Sequence, residues 1–245
     1  MSQSNADRQP DDEPDDELVQ ADSRSAPRDR KDIVHVGPSP HAVTAVQNPD
    51  SPTVERLRRM AMQLLVGSKA DASRVLTVIS PQAQDGRSFV AANLAVLLAQ
   101  AGRRTLLIDG DLRSPVQHEL FGAANNKGLS NLARGRADWS VIQPVNSIPG
   151  LYIIPAGPAV MNPGEIVSRS TLEDLFVELL RPCDQIIIDT PPGAPYADGQ
   201  ALSSYAGSAL LVLRRHHTQM KHAKTLVDSV TTGGADILGT VLNDY

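Results

Sequence analysis

The chain has one cysteine, Cys183, so no internal disulfide can form and nothing in its cysteine usage points to an oxidising compartment. Standing just before an apolar run, Cys183 reads as a small buried hydrophobe. Aromatics are equally scarce, at one Trp, four Tyr and three Phe, so the core has to be built from Leu, Ile, Val and Ala. No stretch approaches the roughly 18 apolar residues of a membrane span. The first residues are acidic and polar, with neither a basic n-region nor an apolar h-region, so no secretory signal is visible and a cytoplasmic protein is expected. A basic excess is missing too: the net charge is −5, residues 1–50 hold 11 acids against 5 bases, and the remainder is close to neutral. That balance excludes an electrostatic footprint for nucleic acid.

What is present is a soluble composition, 41% hydrophobic and 21% charged, over 245 residues. Residues 1–50, with the acidic run Asp11 to Glu17 and scattered prolines, hold too little apolar surface to offset the entropy of ordering, and read as a disordered leader. Ser51-Pro52 starts a helix that runs to about Leu65 and ends at Gly67-Ser68, with Val54, Leu57, Ala61, Leu64 and Leu65 on one face. Short apolar runs follow at Val75–Ser80, Thr105–Asp109, Leu151–Pro155, Gln185–Asp189, Ser208–Leu213 and Ile237–Leu242. Helical segments lie between them, after Ser88, over Thr171–Leu180, near Ala197–Tyr205 and over Gln219–Thr231. This alternation predicts one α/β domain over 51–245, a doubly wound, mostly parallel sheet with helices on both faces.

Ligands bind such sheets outside the carboxyl ends of the strands. Three carboxylates are predicted there: Asp109 closes the second strand, Asp111 follows it, and Asp189 closes the fourth. Nearby, the loop Pro81–Ser88 joins the first strand to an apolar helix and ends in Gly86-Arg87-Ser88. Successive backbone N–H groups at a loop of this kind, with the helix N-terminus behind them, form an anion cradle. Mg²⁺ takes a few carboxylates plus phosphate oxygens and water, which the three aspartates and the Ser88 hydroxyl could supply. Arg87 offers phosphate a planar fork where lysine offers a point charge. Gln84 stands where a phosphate loop favours glycine, and a left-handed backbone there would cost about 1–2 kcal/mol. His216, His217 and His222 have no partners at ligand spacing and read as a solvated helix entry.

The run from Ser80 to Gly122, with Asp-Gly-Asp-Leu-Arg-x-Pro-x-x-His within it, resembles the bacterial tyrosine kinases of capsule and exopolysaccharide export, nearest the stand-alone CpsD/CapB/EpsG type. The likeness continues through Gly128-Leu129-Ser130, Pro155-Ala156-Gly157, Asn162-Pro163, Ile188-Asp189-Thr190-Pro191-Pro192 and Gly239 to Asn243. The resemblance implies a P-loop NTPase-like fold that uses ATP and Mg²⁺ to phosphorylate tyrosines. It implies a nucleotide cradle over Gln84, Asp85, Gly86, Arg87, Ser88 and Phe89, with Asn243 near the adenine. Ser88, Asp111 and Asp189 would serve the metal, and Asp109, Asp111 and Arg87 the transfer itself. It further implies a membrane-embedded chain-length determinant (co-polymerase) as partner, a location at the inner membrane through that partner, and a homo-oligomer assembled through Glu-x-x-Arg-x-x-Arg. Glu55 and Arg58 match that motif, and Ala61 takes its last place.

Other departures are Ala83 and Gln84 in the loop, and a single terminal Tyr245 in place of a tyrosine cluster. They leave a second reading open, an ATP-binding pseudokinase adaptor of the same export machinery. A third, a positioning ATPase of the ParA/MinD type, calls for a signature lysine where Gln82 stands.

Overall fold

Seven strands form a single sheet in the order β3-β4-β2-β5-β1-β6-β7 in a computed structural model that describes residues 43–67, 74–167 and 171–244. The strands are β1 (Val75–Ile79), β2 (Thr105–Asp109), β3 (Gln143–Pro144), β4 (Leu151–Ile154), β5 (Gln185–Asp189), β6 (Ser208–Arg214) and β7 (Asp236–Asn243). All neighbours pair in parallel except β3, a two-residue edge antiparallel to β4. That edge was not anticipated, since Gln143-Pro144 has neither the length nor the residue types of a strand. The rest is the doubly wound sheet that the alternating runs predict.

Alternation along the strands sorts side chains to two faces. Leu107, Ile153 and Ile187 join one apolar cluster, while Leu106, Ile108, Ile154, Ile186 and Ile188 join the other. The first face is covered by α2 (Pro52–Gly67) and α3 (Arg87–Gln100). α3 is buried on nearly every side, from Val90 to Ala99, which is why its sequence is apolar throughout rather than striped. The second face is covered by α7 (Thr171–Leu179) and α8 (Asp198–Ala206), and α9 (Met220–Thr232) packs over β6 and β7. Cys183 is buried before β5, and that burial pushes its thiol up to about 11, as suits an inert hydrophobe.

The described residues begin inside the expected leader. α1 (Thr44–Gln47) packs on α3, Val43 and Ala45 are buried, and the Ala45 amide donates to Asn93 Oδ1 at 2.8 Å. Two small apolar residues in a polar run thus find a place in the core. Residues 1–42, Ser68 and Tyr245 lie outside the described residues. Ala61, at the last position of the assembly motif, is fully buried, whereas Glu55 is exposed, Arg58 half-buried, and the two pair with one another at 3.4 Å. Core packing explains the alanine: an arginine there would have to displace the contact between α2 and α3.

Leu98 is fully buried at the centre of this packing. Leu98→Ala should cost about 2–5 kcal/mol of stability, read as a lowered urea midpoint.

Candidate functional site

The loop from Pro81 to Gly86 leaves the carboxyl end of β1 and feeds α3. Gly86 caps the helix at φ 97°, and Val90 N–H donates to Gly86 O at 3.0 Å. The first turn of α3, which opens at Arg87 and Ser88, presents the positive end of the helix to the loop and suits an anion. Gln84 does take the left-handed conformation, at φ 63°, with its side chain exposed.

The segment after β6 clasps this loop from outside. Thr218 Oγ1 donates to Asp85 Oδ1 at 2.6 Å, Gln219 N donates to Gln82 Oε1 at 2.9 Å, and Arg214 Nη1 donates to Gln84 O at 3.3 Å. His217 Nε2 lies 3.1 Å from Ala83 O, so this histidine belongs to the clasp rather than to a merely solvated helix entry. Asp85 is fully buried and also accepts from Gln82 N at 2.9 Å. Asn243, at the end of β7, donates from Nδ2 to Asp85 O at 3.1 Å, and a Cβ on Gly86 would collide with its amide. Asn243 is thereby placed as a brace under the loop.

On the other side of the loop, β2 and β5 are adjacent and in register, Asp109 opposite Asp189, so the sheet brings the carboxylates together. Asp109 is fully buried and both its oxygens accept backbone amides: Oδ1 from Asp111 N at 3.2 Å, Oδ2 from Val116 N at 3.1 Å and Gln117 N at 3.0 Å. Burial first, and then the negative charge of Asp189, raise its carboxyl well above the usual range. Asp189 is raised as well, again by burial, against the pull of Arg87 and hydrogen bonds from Ser88 and Gln117. Asp111 Oδ1 accepts from Arg113 N at 3.1 Å and Ser114 N at 2.9 Å.

Arg87 points into this cluster. It is 7% exposed, and its three nitrogens have separate partners: Nη1 donates to Ser80 Oγ at 2.8 Å, Nη2 to Asp111 Oδ2 at 3.3 Å, and Nε faces Asp189 Oδ1 at 3.3 Å. Asp189 Oδ1 has no hydrogen bond, the condition of a carboxylate oxygen available to a cation. Among the described residues no three His, Cys, Asp or Glu side chains form a ready metal cage. The donor set instead suits Mg²⁺ held by Asp111, Asp189 and Ser88 and completed by phosphate oxygens and water.

Gln117 is a site residue that sequence reasoning missed. Fully buried, it donates from Nε2 to Asp189 Oδ2 at 2.8 Å and to Ser88 O at 3.1 Å, tying the carboxylate to the start of α3. Asp198 was missed too. It receives Arg113 at 2.8 and 3.3 Å, and Arg113 stacks 3.9 Å over the Tyr196 ring, so the loop after Asp111 is joined to the turn after Asp189. The only advance signal was the position of Gln117 and Arg113 inside the Asp-Gly-Asp-Leu-Arg-x-Pro-x-x-His run.

The ParA family model, described as NUBPL iron-transfer P-loop NTPase, matches residues 71–243. The tyrosine-protein kinase YwqD of Bacillus subtilis (strain 168) is 30% identical over 201 residues, covering 82% of this chain and 85% of that one. The tyrosine-protein kinase ptk of Acinetobacter johnsonii is 32% identical over 202 residues, but the chain spans only 28% of its length. Among solved structures, the kinase domain of the Escherichia coli tyrosine kinase ETK superposes with a TM-score of 0.78 at 29% identity, covering 82% of this chain and 79% of that one.

Two outcomes are expected. Gln84→Gly should raise stability by about 1 kcal/mol by removing the left-handed cost of a side chain that is exposed, checked by urea denaturation. Because Asp109 holds its proton more tightly when folded, the nucleotide- and metal-free protein binds more protons folded than unfolded there. Stability should therefore fall as pH rises from the ordinary carboxylate range, about 4, through the raised value. Asp109→Asn should flatten that fall in urea midpoints taken across pH.

Proposed function

Because the chain belongs to the bacterial tyrosine-protein kinases, within the ParA-type P-loop NTPases, we propose that it transfers a phosphoryl group from ATP to tyrosine hydroxyls. The observation that carries this reading is the convergence of Asp109, Asp111, Asp189 and Arg87 beside the N-terminal turn of α3. The amides of residues 84–88 bind the phosphates, with Arg87 as their cationic partner. Ser88, Asp111 and Asp189 would hold Mg²⁺, which would supply charge neutralisation at the phosphates. Asp109 accepts the proton of the tyrosine hydroxyl as its oxygen bonds to the γ-phosphorus and the bond to the departing ADP oxygen breaks. A raised carboxyl suits a base working near neutral pH. Most of the rate in such transfers comes from positioning and charge stabilisation.

In this reading the protein regulates polymerisation, chain length and export of an exopolysaccharide, working with a membrane-embedded chain-length determinant. No described helix is long and apolar enough to cross a membrane, so attachment at the inner membrane would come from that partner. Self-assembly would rest on contacts other than the position of Ala61, which faces the core. A second reading, an ATP-binding adaptor without turnover, is favoured by the strain at Gln84 and by the hold of the carboxylates on Arg87.

Incubation with labelled Mg-ATP, with and without the partner's cytoplasmic segment, separates the two. Tyrosine label that Asp109→Ala and Arg87→Ala each lower by about a hundredfold or more supports the kinase. Nucleotide binding with no tyrosine label in either arm leaves the adaptor.

A further inference from the structure

The oxygens of the two metal-side carboxylates divide into two kinds. Asp111 Oδ1 is tied to the amides of Arg113 and Ser114, and Asp189 Oδ2 to Gln117. The other oxygen of each, Asp111 Oδ2 and Asp189 Oδ1, is turned to Arg87, at 3.3 Å in both cases. Both oxygens of Asp109 are committed to backbone amides. The oxygens a divalent cation would take are therefore the ones that the guanidinium faces.

We propose that Arg87 is an internal competitor of the divalent metal: its guanidinium bridges Asp111 and Asp189 in the nucleotide-free protein, and the metal gains those carboxylates only as a nucleotide's phosphates draw the guanidinium away. Three features lead there. The carboxylates are 3% and 0% exposed and the guanidinium is nearly as buried, so withdrawing Arg87 alone would strand two negative charges out of water, a strongly unfavourable state. Arg87 is held by three different nitrogens, to Ser80, Asp111 and Asp189, a span that lysine, with one ammonium, cannot reproduce. The same planar fork is suited to phosphate, and the N-terminus of α3, where Arg87 itself sits, is the place an anion would occupy beside it. Metal and nucleotide thus bind as a coupled pair, each raising the affinity of the other by the same factor. This inference rests on the nucleotide and metal reading of the site given above, and gives that site a lock.

The test uses Mn²⁺ as probe, titrated by electron paramagnetic resonance into the full chain without nucleotide. Arg87→Ala should bind Mn²⁺ at least tenfold more tightly than wild type, and adding Asp189→Asn to it should abolish the gain. ADP should tighten Mn²⁺ binding at least tenfold in wild type and much less in Arg87→Ala. Should Arg87→Ala fail to fold, Arg87→Lys should shift Mn²⁺ affinity in the same direction. Equal Mn²⁺ affinity in wild type and the folded variant would overturn the competition, and tyrosine labelling by wild type would then leave the kinase reading standing. Tighter Mn²⁺ binding without any tyrosine labelling would uphold the competition and remove the kinase reading. Absence of Mn²⁺ binding in every protein, with ADP present, would remove both.

Discussion

Parallel pairing of β2 with β5 sets Asp109 beside Asp189 at the carboxyl edge of the sheet, and one guanidinium answers the charge collected there. Buried carboxylates at 0–3% exposure are tolerable only when ionised partners or hydrogen bonds meet them. Here every carboxylate oxygen but one has a hydrogen-bond donor, and that one, Asp189 Oδ1, faces Arg87 Nε. The position of Arg87 follows from its place at the start of α3, and α3 is fixed by burial along almost its whole length. The core therefore positions the charge balance of the site, and the charge balance fixes what the loop can do.

The loop is held from three directions. Thr218 and Gln219 pin it through Asp85 and Gln82, Asn243 braces Asp85 O and fills the space beside Gly86, and Arg214 takes Gln84 O. These contacts come from β6, β7 and the entry to α9, so the far edge of the sheet supports the strained backbone at Gln84. Such over-determination is what allows a non-glycine residue to persist in the left-handed region.

The sheet was legible because its strands are short, aliphatic and bounded by polar turns, and the helices because they alternate with them. The edge at Gln143-Pro144 was not, since its pairing depends on β4 and not on its own residues. Val43 and Ala45 were hidden for a related reason, being small residues in a polar run whose burial is decided by Asn93 and α3. Asp109, Asp111 and Asp189 could be read because strand ends are where such sheets bind ligands. Gln117, Asp198 and Thr218 could not, because each acts only through a neighbour distant in sequence. For Arg87 the residue could be read but not its direction: the motif points it at phosphate, while the free protein turns it on its own carboxylates.

One guanidinium thus answers carboxylate in the free protein and phosphate in the complex. A crystal structure of the full chain with Mg-ADP tests it most directly. Arg87 should then lie against the nucleotide's phosphates, with Asp111 Oδ2 and Asp189 Oδ1 turned to the metal directly or through its water. A bound Mg-ADP with Arg87 still between Asp111 and Asp189 would contradict it.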